Sequence, residues 1–191
     1  MAIASTQLLT AEEFYAFVHR AENEGRHFEL EEGVIFEMPP PGWRHGETCA
    51  NIVGLLFLYC RTTKRGHVLS NDTGIILGRS PDTVRGPDVA YFSESIRRED
   101  IPEQYSERIP TLVVEVISPS DSVAETTLKL DSFLNRGAAL VWLVDPEDRT
   151  VTYWRKGKRP VVAKDGDEIS GLPEMQAFRC SVRDIFDAPG D

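Results

Sequence analysis

The chain has 191 residues, 41% of them hydrophobic, and a formal net charge of -10 at pH 7. The length suits one domain covering residues 1–191, and the apolar share is enough to bury a core. The acidity argues against a large non-specific nucleic-acid surface, and no apolar run approaches the roughly 18 residues of a membrane helix.

The opening MAIASTQLLTAEEF lacks a basic segment followed by an apolar one, so it does not read as a signal peptide. Cys49, Cys60 and Cys180 are odd in number and show no C-x-x-C spacing. That pattern argues against a disulfide framework or a zinc knuckle and predicts a soluble protein of the reducing cytoplasm. Two basic stretches, RTTKRGH (61–67) and WRKGKRP (154–160), are either solvated turns or local binding patches.

LTAEEFYAFV predicts a first helix, with Thr10 as N-cap and Glu13 completing a capping box. HFELEEGVIFEM predicts two strands joined at Glu31-Glu32-Gly33. The prolines of PPPGWRHG mark a loop. A long helix from about His45 to Thr63 follows, with Cys49, Ile52, Val53, Leu56, Tyr59 and Cys60 on one face. GHVLSNDTGIIL reads as an extended pair or one long bent strand, and DVAYF as a short strand. The polar SESIRREDIPEQYSERIP predicts an irregular excursion with a helical turn. TLVVEVI is almost wholly apolar, which suits a central strand covered on both faces. A helix then starts near Asp121 or Ser122 and ends at Gly137, a favourable residue just past a helix end. ALVWLVDP is another buried strand, TVTYWRKGKRPVVAKDGDEIS alternates like an antiparallel edge, and SVRDIF is a short terminal helix. The strand–helix–strand order from TLVVEVI to ALVWLVDP is a crossover unit, which places the two strands parallel. Antiparallel strands on either side make the sheet mixed. The predicted class is α/β or α+β, a mixed β-sheet flanked by helices.

One charge stands out in the central strand. Glu115 lies between Val114 and Val116, and a carboxylate buried there must be paired, protonated or bound to a cation. A bland reading has an arginine as its partner. Asp88 precedes the DVAYF strand, behind Pro87. Carboxylates on adjacent strands can converge at one sheet edge, giving a hard oxygen-rich site suited to Mg²⁺ or Mn²⁺. A main-chain carbonyl beside Glu115, that of Val116, completes the protein ligands. Taken alone, Asp88 reads more readily as a turn aspartate capping its own backbone. Lys129 lies beside the apolar face marked by Leu130, Phe133 and Leu134, so its stem can run along the helix and its amine reach the sheet edge. Its alternative is a surface pair with Glu125, four residues earlier.

GPDVAYF and LVVEVIS, with the helical Lys129, resemble the PD-(D/E)XK nuclease superfamily. That superfamily usually places lysine two residues after the glutamate, and here the position is Ile117. The arrangement resembles a bacterial branch with the lysine on the following helix, the restriction-endonuclease-like Uma-two type family, a domain of unknown function. HFELEEGVIFEMPPPGWRHG, RGPDVAYF, PTLVVEVISPSD, KLDSFLNRGAALVWLVDP and VTYWR follow that family's order. So does the closing GDEISGLPEMQAFRCSVRDIF, although the usual Leu-Pro-Gly-Phe is here Met175-Gln176-Ala177-Phe178.

The resemblance implies a restriction endonuclease-like fold and Mg²⁺- or Mn²⁺-dependent hydrolysis of DNA phosphodiesters. Asp88, Glu115 and the Val116 carbonyl would hold the metal, and Lys129 would orient water or offset developing charge. Glu29 matches an early glutamate of the family and either holds metal through water or faces solvent on the hairpin. His45 matches a histidine near the start of the long helix, where it contacts phosphate, acts in acid–base chemistry or caps the helix. Asp145 resembles the family pattern but reads as a strand-ending turn residue. His19, His27 and His67 show no ligand spacing.

Three readings remain open: an active DNA endonuclease, a nuclease-like fold kept for nucleic-acid binding or assembly, and a phosphodiesterase of small substrates. The acidity favours the last two. A homodimer would place two active sites on the two strands of a duplex.

Overall fold

A computed structural model describes residues 8–119, 121–171 and 173–187, together with the backbone of residues 2–3. Its first elements are β1 (Ala2–Ile3), α1 (Ala11–Val18), β2 (His27–Glu31), β3 (Val34–Met38), α2 (Trp43–Thr63), β4 (His67–Ser70), β5 (Ile75–Gly78) and β6 (Thr83–Arg85). They continue as β7 (Val89–Phe92), β8 (Leu112–Val116), α3 (Val123–Arg136), β9 (Leu140–Asp145) and β10 (Thr150–Trp154). The last are β11 (Val161–Lys164), β12 (Glu168–Ser170), β13 (Arg179–Ser181) and α4 (Val182–Phe186). Contacts gather these elements into two compact units: Met1–Pro40, Asn71–Pro87 and Arg97–Arg108 form one, and the remainder forms the other. No helix among the described residues is long and apolar enough to cross a membrane.

The first unit is built on a five-stranded sheet in the order β1-β3-β2-β6-β5. The β2–β3 hairpin turns through Glu32 and Gly33, both at positive φ (46° and 79°), as a tight hairpin turn requires. The capping box of α1 is present: the Thr10 side chain accepts from the Glu13 N–H, and the Glu13 carboxylate accepts from the Thr10 N–H. Phe14 of α1 packs with Leu30, Ile35, Ile76 and Val84. The short β6 has no counterpart among the expected strands, because three residues after a cis Ser80-Pro81 bond carry too little periodicity to read.

Asp82 is the polar anchor of this unit. Its buried carboxylate accepts from the Ala11 N–H at 2.8 Å, the Ser80 N–H at 3.0 Å and Arg79 Nη1 at 2.9 Å. Burial works to raise its pKa, but these hydrogen bonds prevail and hold it below the ordinary 3.8. A carboxylate depressed in this way stabilises the fold above its unfolded pKa and loses that contribution as pH falls through its folded value. The melting-temperature advantage of wild type over Asp82→Asn is therefore expected to be full at neutral pH and to shrink below about pH 4. An advantage independent of pH would show that the charge of Asp82 is irrelevant.

The second unit is built on a six-stranded mixed sheet in the order β11-β10-β9-β8-β7-β4. Only the β8–β9 pair is parallel, joined by α3 as the crossover unit requires. Every residue of β8 is buried, as expected of a central strand. Leu112, Val114 and Val116 share a core with Ile52 and Leu56 of α2 and with Trp142 of β9. Strand alternation sends Val113 and Glu115 to the opposite face. Helix α3 packs on β8 and β9, starts at the N-cap Ser122 and ends at Gly137 with φ 115°.

GHVLSNDTGIIL forms neither an extended pair nor one bent strand. Its halves are β4, which pairs with β7, and β5, which pairs with β6. Asn71 and Asp72, at φ 63° and 52°, break it between them. Left-handed conformations suit these short polar side chains, so the sequence carried the break without a glycine there.

Phe178 explains the closing motif. It stacks edge-on to Tyr59 of α2 at 5.4 Å and sits 6.0 Å from the Trp142 ring. Ala177 before it takes φ 64°, at the position where the resembling motif carries glycine. The left-handed region costs an L-residue about 1–2 kcal/mol, against about 0.4–1 kcal/mol gained by glycine's unfolded chain. Ala177→Gly is therefore expected to stabilise the protein by up to about 1 kcal/mol in urea unfolding, and a destabilised variant would contradict this reading.

Candidate active site

Asp88, Glu115, Val116 and Lys129 meet in the second unit. The antiparallel register pairs Val89 with Val114. One step further along the same ladder, Asp88 stands opposite Glu115, at the start of β7 and the end of β8. The Val116 N–H donates to Asp88 Oδ2 at 2.7 Å, so the aspartate grips the neighbouring strand and does not cap its own backbone.

Glu115 is 6% exposed. Its partner is Lys129, whose Nζ lies 3.0 Å from Oε1, with the lysine side chain 15% exposed. The partner seen for the Glu115 carboxylate is thus a lysine from the following helix. Lys129 precedes Leu130 on α3, whose buried face seats it against the sheet, and its stem follows that face to the carboxylate.

His45 belongs to the first turn of α2, whose N-cap is Gly42. Its ring does not cap the helix. Nε2 lies 3.2 Å from Asp88 Oδ1, and Nδ1 lies 3.6 Å from Cys49 Sγ. Cys49 did not stand out in the sequence as a site residue. The available signal was its position four residues after His45 on one helix, which places both side chains on one face.

Glu29 lies in the first unit and is 4% exposed, so it is not a solvent-facing hairpin residue. Arg85 Nη1 donates to its Oε2 at 2.6 Å and the Gly86 N–H to its Oε1 at 3.1 Å. Burial works to lower the pKa of Arg85, but Glu29 and then Glu31 outweigh it and raise the value. Asp145 is a turn residue: its Oδ1 accepts from the Glu147 and Asp148 N–H groups.

The donor set fits a hard divalent ion. Asp88 and Glu115 occupy opposed positions on adjacent strands, with main-chain carbonyls beside them. The cationic Lys129 stands against one carboxylate, where it can also face a bound anion.

The mixed sheet with α2 and α3 packed on it is a restriction endonuclease-like fold. A crystal structure from Anabaena variabilis, described as a "putative nuclease belonging to DUF820", shares it with a TM-score of 0.77. That chain is 21% identical, and the match covers 93% of this chain and 97% of that one. The profile of the Uma2 family, described as "Putative restriction endonuclease", matches residues 11–183, and the chain belongs to this family. No curated protein is similar to it.

Proposed function

We propose that the chain is a Mg²⁺- or Mn²⁺-dependent endonuclease that hydrolyses DNA phosphodiester bonds. The observation that carries this reading is the Lys129–Glu115 pair at 3.0 Å, set beside the opposed Asp88 at one end of β7 and β8. A nuclease-like function is also supported by the family and by the similar solved fold.

A divalent ion held by Asp88, Glu115 and the Val116 carbonyl would supply Lewis acidity to the phosphoryl group and activate water. The chain's own residues do the rest. The Val116 N–H fixes the Asp88 carboxylate. The Lys129 ammonium lies against the Glu115 carboxylate and offers donors for the attacking water or the charge growing on phosphate. His45, against Asp88, is placed to orient that carboxylate. A homodimer would present two such sites to a duplex.

The net charge of -10 is the observation that favours a small substrate instead. Against it, Lys156, Lys158 and Arg159 lie exposed in the segment between β10 and β11 of the same unit as Asp88 and Lys129. Reversing Lys156 and Lys158 to glutamate is expected to weaken plasmid binding at low salt by about 10-fold or more and to flatten its salt dependence. Unchanged binding would return these residues to a solvated turn.

Supercoiled plasmid and a small aryl phosphodiester, offered to one preparation with Mn²⁺, separate the readings. The endonuclease reading expects plasmid nicking to dominate. Dominant turnover of the small diester would replace it with a phosphodiesterase. Plasmid binding with turnover of neither would replace it with a binding role.

A further inference from the structure

His45, Cys49 and Asp88 offer one ligand atom each, all within 4.8 Å of one another. We propose that they form a second cation site, for a thiophilic ion such as Zn²⁺, and that its occupation withdraws Asp88 from the oxygen-donor site. The zinc binding stands apart from the nuclease reading; the competition rests on the metal part of it.

The chemistry is that of nitrogen, sulfur and oxygen donors, which Zn²⁺ takes in tetrahedral array and Mg²⁺ does not. Ligand bonds of about 2.0–2.3 Å put tetrahedral donors roughly 3.3–3.8 Å apart, so the present cluster needs only an inward rotation of about 1 Å. The pieces are already mounted. His45 and Cys49 are one turn apart on α2, and Asp88 reaches the imidazole from β7 at 3.2 Å. The fourth position falls to solvent, as in zinc sites with an open coordination position. Cys49 differs from Cys180, which is buried and whose thiol is pushed up to about 12, chiefly by burial and then by Asp184 and Glu168. Cys49 instead touches a nitrogen base. With Oδ2 accepting from the Val116 N–H, Asp88 presents chiefly Oδ1 to a cation, so the two sites compete for the same oxygen.

The test uses the full chain. Co²⁺ replaces Zn²⁺ as a spectroscopic probe, and Zn²⁺ affinity is measured by competition. Wild type is expected to show a thiolate-to-cobalt charge-transfer band. Cys49→Ser and Cys49→Ala should lose it and bind Zn²⁺ at least about 100-fold more weakly, since loss of an outer partner alone costs about 10–100-fold. Glu115→Gln should keep both, because Glu115 is no ligand here. Added Zn²⁺ should shift the Mn²⁺ isotherm of wild type and leave that of Cys49→Ser in place. Absence of the band in wild type, or unchanged zinc affinity in both Cys49 variants, would overturn the site. Failure of wild type to bind Mn²⁺ without zinc would instead remove the oxygen-donor metal reading, while the cobalt band still decides this one.

Discussion

Asp88→Ala is expected to abolish the divalent-metal isotherm in calorimetry and to lower plasmid nicking by on the order of 10³-fold. Two effects combine. The site loses the carboxylate carried at the position opposed to Glu115 on the β7–β8 ladder, and a lone carboxylate with one carbonyl is a poor cage for a hard ion. The Val116 N–H also loses its acceptor at 2.7 Å, at a cost of about 1–3 kcal/mol where it is shielded from water. Asp88→Asn separates the two, since the amide oxygen can still accept that hydrogen bond but carries no charge. It should melt close to wild type and still fail to bind metal. Metal affinity retained in Asp88→Asn would show that Asp88 only ties β7 to β8.

The second large effect is expected at Lys129. Lys129→Met should leave metal binding measurable and reduce nicking by about 10²–10³-fold in single turnover, because a charge donor is lost without loss of an ion ligand. It should also destabilise the protein by about 3–5 kcal/mol in urea unfolding, since it strands a carboxylate that is 6% exposed. The double variant Glu115→Gln/Lys129→Met removes both charges. It should recover most of that stability while remaining inactive, because a buried ion pair replaced as a whole costs little. Nicking unchanged in Lys129→Met would make the lysine a structural counter-ion alone.

The parts of the fold that were legible in the sequence are those with strong local physics. Thr10 and Glu13 announce their capping box, Gly137 the end of α3, and the apolar run of β8 its place between two covered faces. The crossover from β8 to β9 follows from their order alone. Glu115 stood out because a carboxylate inside an apolar strand demands a partner, and Asp88 and Lys129 joined it as candidates through the resemblance. That Lys129 pairs with Glu115 was not decided until α3 had a position on the sheet, because Glu125 is much nearer to the lysine in sequence. Other features depend on tertiary placement. The three residues of β6 carry no readable period, Asn71 and Asp72 end a strand without glycine, and Cys49 comes within 4.8 Å of Asp88 only once α2 has its place beside β7. Glu29 read either as a metal support or as a hairpin surface residue because nothing local announces Arg85, 56 residues away along the chain.

The most direct test of the account is a plasmid-nicking time course with Mn²⁺, run on wild type and Asp88→Asn purified side by side. Wild type should convert supercoiled to open-circular DNA only with the metal and not with chelator, and Asp88→Asn should not convert it. Equal nicking by both proteins, or none by wild type that binds Mn²⁺, would contradict it.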